Sequence, residues 1–317
     1  MVTLMPHRTT RPFTRQRGDH VPREISEPIR RKTLDDAGAS RRASSHRVVV
    51  RSSDVVYFDR DVVVVRKPAH LSTVPFHAGE KDTLVDQVRT LVRRIQKAKS
   101  DLPASRRYDP MLGVVQRLDK ETTGLLVFAR NLAAKKHLQA QFRAHTIERR
   151  YQALVHGHMR DAHIKTTLVP NRGDGLRGSW GHFRRHRGAP PRDAEPAETF
   201  IKVLAHLVAV GAAQGTREQA SLIQCRLKTG RQHQIRIHAS EQGHPLLGER
   251  VYIRDYPRSR IAAPRVMLHA CLLGFVHPRT GEYLEFTQPL PDDFQAMVAK
   301  FQPVGDATHT EGPRHES

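Results

Sequence analysis

Apolar positions along this chain recur mostly at every second residue, the spacing of half-buried strands. Val55-Val56-Tyr57-Phe58 and the valines at 62–65 flank a polar Asp59-Arg60-Asp61, which predicts two short strands around a turn. A helix-spaced exception runs from 83 to 97, where apolar residues at 84, 85, 88, 91, 92 and 95 make one stripe. Thr83 and Asp86 resemble a capping box at its start, with Asp in place of the usual Glu or Gln. Residues 125–129 read as a buried strand, after which Asn131 can cap a helix reaching to about 145. Tyr151, Ala153 and Val155 alternate with Gln152, Leu154 and His156, as a strand requires. Further strands are predicted at 200–210 and 222–227, and Pro278-Arg279-Thr280-Gly281-Glu282 reads as a hairpin turn between 268–276 and 283–286. Strands dominate, hairpins are frequent, and neither a βαβ alternation nor an internal repeat is present. The pattern predicts an α+β protein on a mixed, largely antiparallel sheet.

Charge changes the picture at the ends. The chain has 317 residues and 53 Lys and Arg against 32 Asp and Glu, a net charge of +21. Residues 1–47 hold 11 of those cations and 5 acids, four prolines and little apolar character, so they read as a disordered basic arm. Residues 302–317 read as a disordered tail, leaving 48–301 as the folded region. No apolar run approaches the ~18 residues of a membrane span, and the arm lacks the apolar core of a secretory signal. Cys225 and Cys271 are too few for a disulfide framework or a zinc site. These features point to a cytoplasmic protein whose partner is polyanionic. Within the folded region, 172–192 is a basic insertion carrying six arginines, Trp180 and Phe183. Guanidiniums with interleaved aromatics suit a nucleic-acid contact. A long surface loop anchored by its aromatics would have the same composition.

Three places carry candidate chemistry. In Gln116-Arg117-Leu118-Asp119-Lys120-Glu121-Thr122-Thr123-Gly124, an Asp flanked by cations sits on a turn that enters a buried strand. That is a favourable mount for a reactive carboxylate, although an ordinary turn Asp looks the same. In Thr229-Gly230-Arg231-Gln232-His233-Gln234-Ile235-Arg236-Ile237-His238, two Arg and two His surround a glycine turn. His233 and His238 lie five apart without a third ligand, so a metal site is weakly supported; a partner for carboxylate or phosphate fits better. In Glu148-Arg149-Arg150-Tyr151, an aromatic opens a strand after two cations, and packing at a sheet edge would explain it equally.

Taken together, these motifs resemble a known family. Gln116 to Arg130 is similar to the HRLDxxTSGLLxxAK signature of the RluA-type RNA pseudouridine synthases, and Thr229 to His238 to their TGRxHQIRxH motif. Gly243-His244-Pro245-Leu246-Leu247-Gly248-Glu249 resembles their GHPxxGD run, and Leu268-His269-Ala270 and His277-Pro278-Arg279-Thr280-Gly281-Glu282 their LHA and HPxTGE segments. Val65-Arg66-Lys67-Pro68-Ala69 is similar to the early VxKPAG. The resemblance spans about 55–294 in the family's order. Gln116, Thr123 and His70 stand where the family has His, Ser and Gly, which leaves the RNA target open.

The resemblance implies a two-lobed sheet with a catalytic cleft, and isomerisation of uridine to pseudouridine in ribosomal or transfer RNA without cofactor or metal. It implies Asp119 as the catalytic aspartate, Tyr151 as the active-site tyrosine, and Arg236, with Arg231 as the alternative, as the arginine pairing with Asp119. Arg117, Arg231, His233, Gln234, Ile235 and Lys67 are the expected substrate-binding residues. A monomer that avoids membranes is expected. The competing readings are a non-catalytic RNA-binding or ribosome-assembly factor on the same fold, and a generic DNA-binding protein, for which no helix-turn-helix, zinc-finger or basic-zipper motif is evident.

Overall fold

The computed structural model describes residues 47–99, 111–182, 188–210 and 218–304. Apart from Arg47 the basic arm lies outside these residues, as do the core of the basic insertion, 183–187, and the tail from 305. The sheet contains β1 (Val55–Phe58), β2 (Val62–Lys67), β3 (Gly113–Val114), β4 (Thr123–Ala129), β5 (Glu148–His156) and β6 (Ala162–Val169). It continues with β7 (Gly178–Ser179), β8 (Glu195–Ala209), β9 (Gln219–Leu227), β10 (Leu268–Val276), β11 (Tyr283–Thr287) and β12 (Phe301–Pro303). The helices are α1 (Leu84–Lys99), α2 (Leu132–Ala144), α3 (Gln234–Glu241) and α4 (Asp292–Val298).

The strand order is β1-β2-β4-β10-β5-β9-β8-β6-β7, with β3 on β4, β11 on β10 and β12 on β8. Among the described residues only β4 and β10 pair in parallel, so the sheet is mixed and largely antiparallel. That junction is tight. Gly124 has φ 114°, and a Cβ there would stand 2.2 Å from the Ala270 carbonyl oxygen. Only glycine tolerates both the backbone angle and the approach.

The valine run of β2 shows no polar face because the strand is buried on both sides. Val63 and Val65 enter one core with Leu126 and Phe128 of β4, covered by Leu84, Val88 and Val92 of α1. Val62 and Val64 enter another with Leu125 and Val127, covered by Ala134 and Leu138 of α2. A third core packs Phe294 and Met297 of α4 against Leu154 and Leu207. Helix starts follow their local chemistry. The Asp86 carboxylate accepts both the Thr83 N–H (3.1 Å) and hydroxyl (2.7 Å) at α1, and the Asn131 side chain accepts the Ala134 N–H (2.8 Å) at α2.

The structure amends one expected boundary and adds one element. Gln302 and Pro303, placed in the tail, pair with Val208 and Leu207 of β8. Residues 234–241, for which the sequence predicts no element, form α3 after His233, which has a left-handed φ of 58°. Its periodicity is hidden because Gln234, Arg236 and His238 are buried along with Ile235, Ile237 and Ala239.

Candidate active site

Asp119 lies on the irregular loop from β3 to β4, and side chains beneath that loop hold its backbone. Lys67, only 1% exposed, donates from Nζ to the carbonyls of Pro68 (2.9 Å), Lys120 (3.0 Å) and Thr122 (2.8 Å). Three acceptors use all three ammonium protons. Burial nonetheless pulls Lys67 down to about 7, against the opposing pull of the Asp119 charge. The Thr73 hydroxyl donates to the Leu118 carbonyl (2.8 Å) and accepts the Leu118 N–H (3.1 Å), fixing the residue before Asp119.

The facing wall is the 228–233 turn and α3. Arg236 donates from Nε and Nη2 to the two oxygens of Glu249, at 2.7 and 2.8 Å. Its remaining nitrogen, Nη1, stands 3.5 Å from Asp119 Oδ2. The Glu249 side chain is fully buried, and its Oε1 also accepts the N–H groups of Arg250 (3.0 Å), Val251 (2.8 Å) and Tyr252 (3.2 Å). Burial favours protonation of Glu249, but the Arg236 hydrogen bonds and these amides outweigh it and hold the carboxyl below its usual value. Burial likewise works against Arg236, and Glu249 with Asp119 outweighs it, raising the guanidinium above its ordinary value. His233 Nε2 lies 4.0 Å from Asp119 Oδ2 while Nδ1 lies 2.7 Å from the Tyr252 hydroxyl. Burial holds the His233 imidazole below its ordinary value and pushes the Tyr252 phenol up to about 12.

Between the walls is a cavity of about 390 Å³, lined by Asp119, Tyr151, Leu227, Ile235, Arg236 and Leu268 among others. Tyr151 sits in β5, flanked by Ala270 of β10 and Cys225 of β9, and is 8% exposed. Burial raises its phenol, so the ring enters the cavity as a neutral group. A second cavity of about 790 Å³ shares Asp119, His233 and Arg236 and extends past Ser72, Phe76 and Glu80.

Asp119, Tyr151, His233, Ile235 and Arg236 thus converge on one cleft, and Arg117 is exposed at its rim. The other expected contacts have structural employment. Lys67 lies beneath the Asp119 loop and does not line the cleft. Gln234 borders it, but its amide serves Thr229, Arg231, Glu198 and Thr199. Arg231 donates to Glu195 (2.9 Å) and to the Pro196 carbonyl (3.0 Å). In the basic insertion, Arg172 pairs with Asp174 and Arg177 with Glu195, so these two guanidiniums face carboxylates. Glu249 and Tyr252 were not anticipated. Glu249 closes the Gly-His-Pro segment, but nothing in its spacing pairs it with Arg236. Asp59, Asp61 and His277 could together hold a metal ion, yet Asp61 is bound by Arg279 (2.6 and 2.8 Å) and Asp59 by His277 (2.8 Å). Those contacts tie the β10–β11 hairpin to the β1–β2 turn. No described helix is long and apolar enough to cross a membrane.

An open mixed sheet carrying a paired aspartate and arginine beside a buried tyrosine defines a class of fold. Two solved structures are similar in fold: human RNA pseudouridylate synthase domain containing 4, at a TM-score of 0.60 and 20% identity over 79% of this chain and 94% of that one, and human RNA pseudouridylate synthase domain containing 1, at 0.55 and 25% over 79% and 88%. The family described as RNA pseudouridylate synthase matches residues 61–241. Ribosomal large subunit pseudouridine synthase D of Nitrosomonas europaea is 31% identical over 83% of this chain and 69% of its own length. The protein of the same name from Zymomonas mobilis is 34% identical over 77% and 71%, and an uncharacterized RNA pseudouridine synthase of Bacillus subtilis 33% over 80% and 74%. The chain belongs to the RNA pseudouridylate synthase family, and is an isomerase.

Proposed function

We propose that this protein converts specific uridines of structured RNA to pseudouridine with Asp119 as the reacting carboxylate, and that its target is ribosomal or transfer RNA. The observation that carries the assignment is Arg236 Nη1 at 3.5 Å from Asp119 Oδ2, on a guanidinium that Glu249 already orients. The names of the bacterial relatives favour ribosomal RNA. Asp119 attacks the anomeric carbon or stabilises positive charge developing there. Arg236 sets the direction of the carboxylate. Tyr151 stacks on the uracil, and Ile235 forms part of the floor. A uridine in folded RNA must first leave its stack, at about a few kcal/mol. The excess of cations offsets this through phosphate contacts, which makes binding steeply salt-dependent. The protein works as a cytoplasmic monomer.

Pseudouridine mapping of total RNA from cells with the gene intact, deleted, or carrying Asp119→Asn tests the assignment. Sites lost on deletion and absent in the Asn variant support it and identify the target. Sites restored by the Asn variant would remove Asp119 from the chemistry.

A further inference from the structure

The cleft contains a second buried arginine, for which the described residues supply no paired carboxylate. Arg149, two residues before Tyr151 in β5, lines the same cavity and is 7% exposed. Its Nη2 donates to the Lys228 carbonyl (3.2 Å), its guanidinium lies 5.4 Å from the Phe142 ring centre, and its Nε is buried without a partner. No carboxylate pairs with it among the described residues. Gly230 accommodates it, since a Cβ there would meet Arg149 Nη1 at 2.4 Å. A second orphan donor borders the same cavity: Gln116 Nε2 is also buried and unpartnered. Leaving a buried cation uncompensated costs several kcal/mol. Two unpartnered donors in one cavity mark where a ligand brings acceptors and negative charge.

Resting on the assignment of Asp119, we propose that Arg149, with Gln116, binds the uracil base as it becomes an anion, and so is a catalytic residue. When the bond between C1′ and N1 breaks, its electron pair leaves on the base and spreads over N1, O2 and O4. Asp119 takes the bond to C1′ or balances its charge. After the base turns, C5 joins C1′, Asp119 is released if bonded, and the C5 proton is lost as N1 gains one, so the reaction balances as an isomerisation. Arg236 is not free for the leaving base, because Glu249 holds two of its nitrogens. Arg149 is held by a single carbonyl. As residues i and i+2 of one strand, Arg149 and Tyr151 share a face about 7 Å apart, within reach of the edge of a base stacked on the tyrosine. A phosphate is better met by the exposed Arg117 of the same lining than by Arg149, which is 7% exposed and near Tyr151.

The test measures single-turnover loss of the N1-linked nucleoside by the full chain on its mapped RNA, with uridine or 5-fluorouridine at the target. 5-Fluorouridine has no C5 proton to lose, so breakage of the C1′–N1 bond, and not pseudouridine formed, is the readout common to both. Fluorine withdraws electrons and makes the base a better leaving group, so it needs less help. Arg149→Met should slow uridine by about 100-fold or more but 5-fluorouridine by about 10-fold or less, with RNA affinity within about threefold; Arg149→Lys should stay within about 10-fold on both. Gln116→Leu should repeat the pattern at smaller amplitude, and keeps the test open should Arg149→Met fail to fold. Equal slowing of both substrates, or no slowing, overturns the proposal in favour of a scaffold role. A loss confined to RNA affinity overturns it in favour of a phosphate contact. Failure of the unmodified protein to make any pseudouridine would overturn the functional assignment itself, a separate result.

Discussion

The two walls of the cleft are built on different principles. The Asp119 wall is irregular backbone, held from beneath by a lysine and a threonine that bond to main-chain groups. The Arg236 wall is a helix held by side chains: Arg236 to Glu249, Gln234 to the 228–231 turn and β8, and His238 between Thr166 (2.9 Å) and Thr199 (2.9 Å). Contacts to main chain fix where a loop lies but leave it dependent on the charge of one lysine. A network of carboxylate and guanidinium is insensitive to pH near neutrality, but it fails as a unit when one member is removed.

The largest effect should come from breaking the second wall. Arg236→Met leaves Glu249 buried without its cation and should cost about 3–5 kcal/mol in urea unfolding, with pseudouridine formation lost. A loss below 1 kcal/mol would show that the three amides on Glu249 suffice and that the wall is not a unit. In the first wall, Thr73→Val removes both hydrogen bonds to Leu118 and should cost about 1–3 kcal/mol while lowering kcat more than RNA affinity.

The next two tests use pH. Lys67 has a folded-state value near 7 against 10.5 for an ordinary lysine, so between those values the unfolded chain holds the extra proton. Stability therefore rises with pH across that window, fully so only above 10.5, and Lys67→Met should abolish this slope. An identical slope in the variant, measured by urea unfolding from pH 7 to 10, would place the titration elsewhere. On the acid side, burial holds His238 at about 4, against 6.5 when unfolded. Here too the unfolded chain binds the proton, and stability is lost as pH falls from 6.5 toward 4. Hydrogen exchange should show α3 losing protection in that range before β2 and β4 do. The smallest change serves as a control outside both walls: Asn131→Ala, which uncaps α2, should cost about 1 kcal/mol and leave the rate unchanged.

Legibility from sequence followed burial. The β1–β2 hairpin, α1, α2 and the β10–β11 hairpin were readable because one apolar face, a cap or a turn residue marks each. The strand β6, whose pattern is mostly half-buried, and α3 and α4 went unread. In α3, polar side chains occupy buried positions and cancel the amphipathic signal. The expected substrate contacts divided along the same line. Donors near a motif look alike in sequence whether they face the cleft, as His233 does, or the scaffold, as Lys67 and Gln234 do.

By itself, the sequence determined the class of sheet, the order of the motifs and the presence of Asp119, Tyr151 and Arg236 in them, because alternation, turns and motif spacing are local properties. The tertiary structure alone decided which cation serves which partner. Residues 116, 149, 236 and 249 meet only through the β3–β4 loop, β5, α3 and the segment after it, and desolvation exists only once they are packed. Packing commits Arg236 to two carboxylates and sets Lys67 under a loop. It also leaves Arg149 with a charge that no carboxylate among the described residues pairs with.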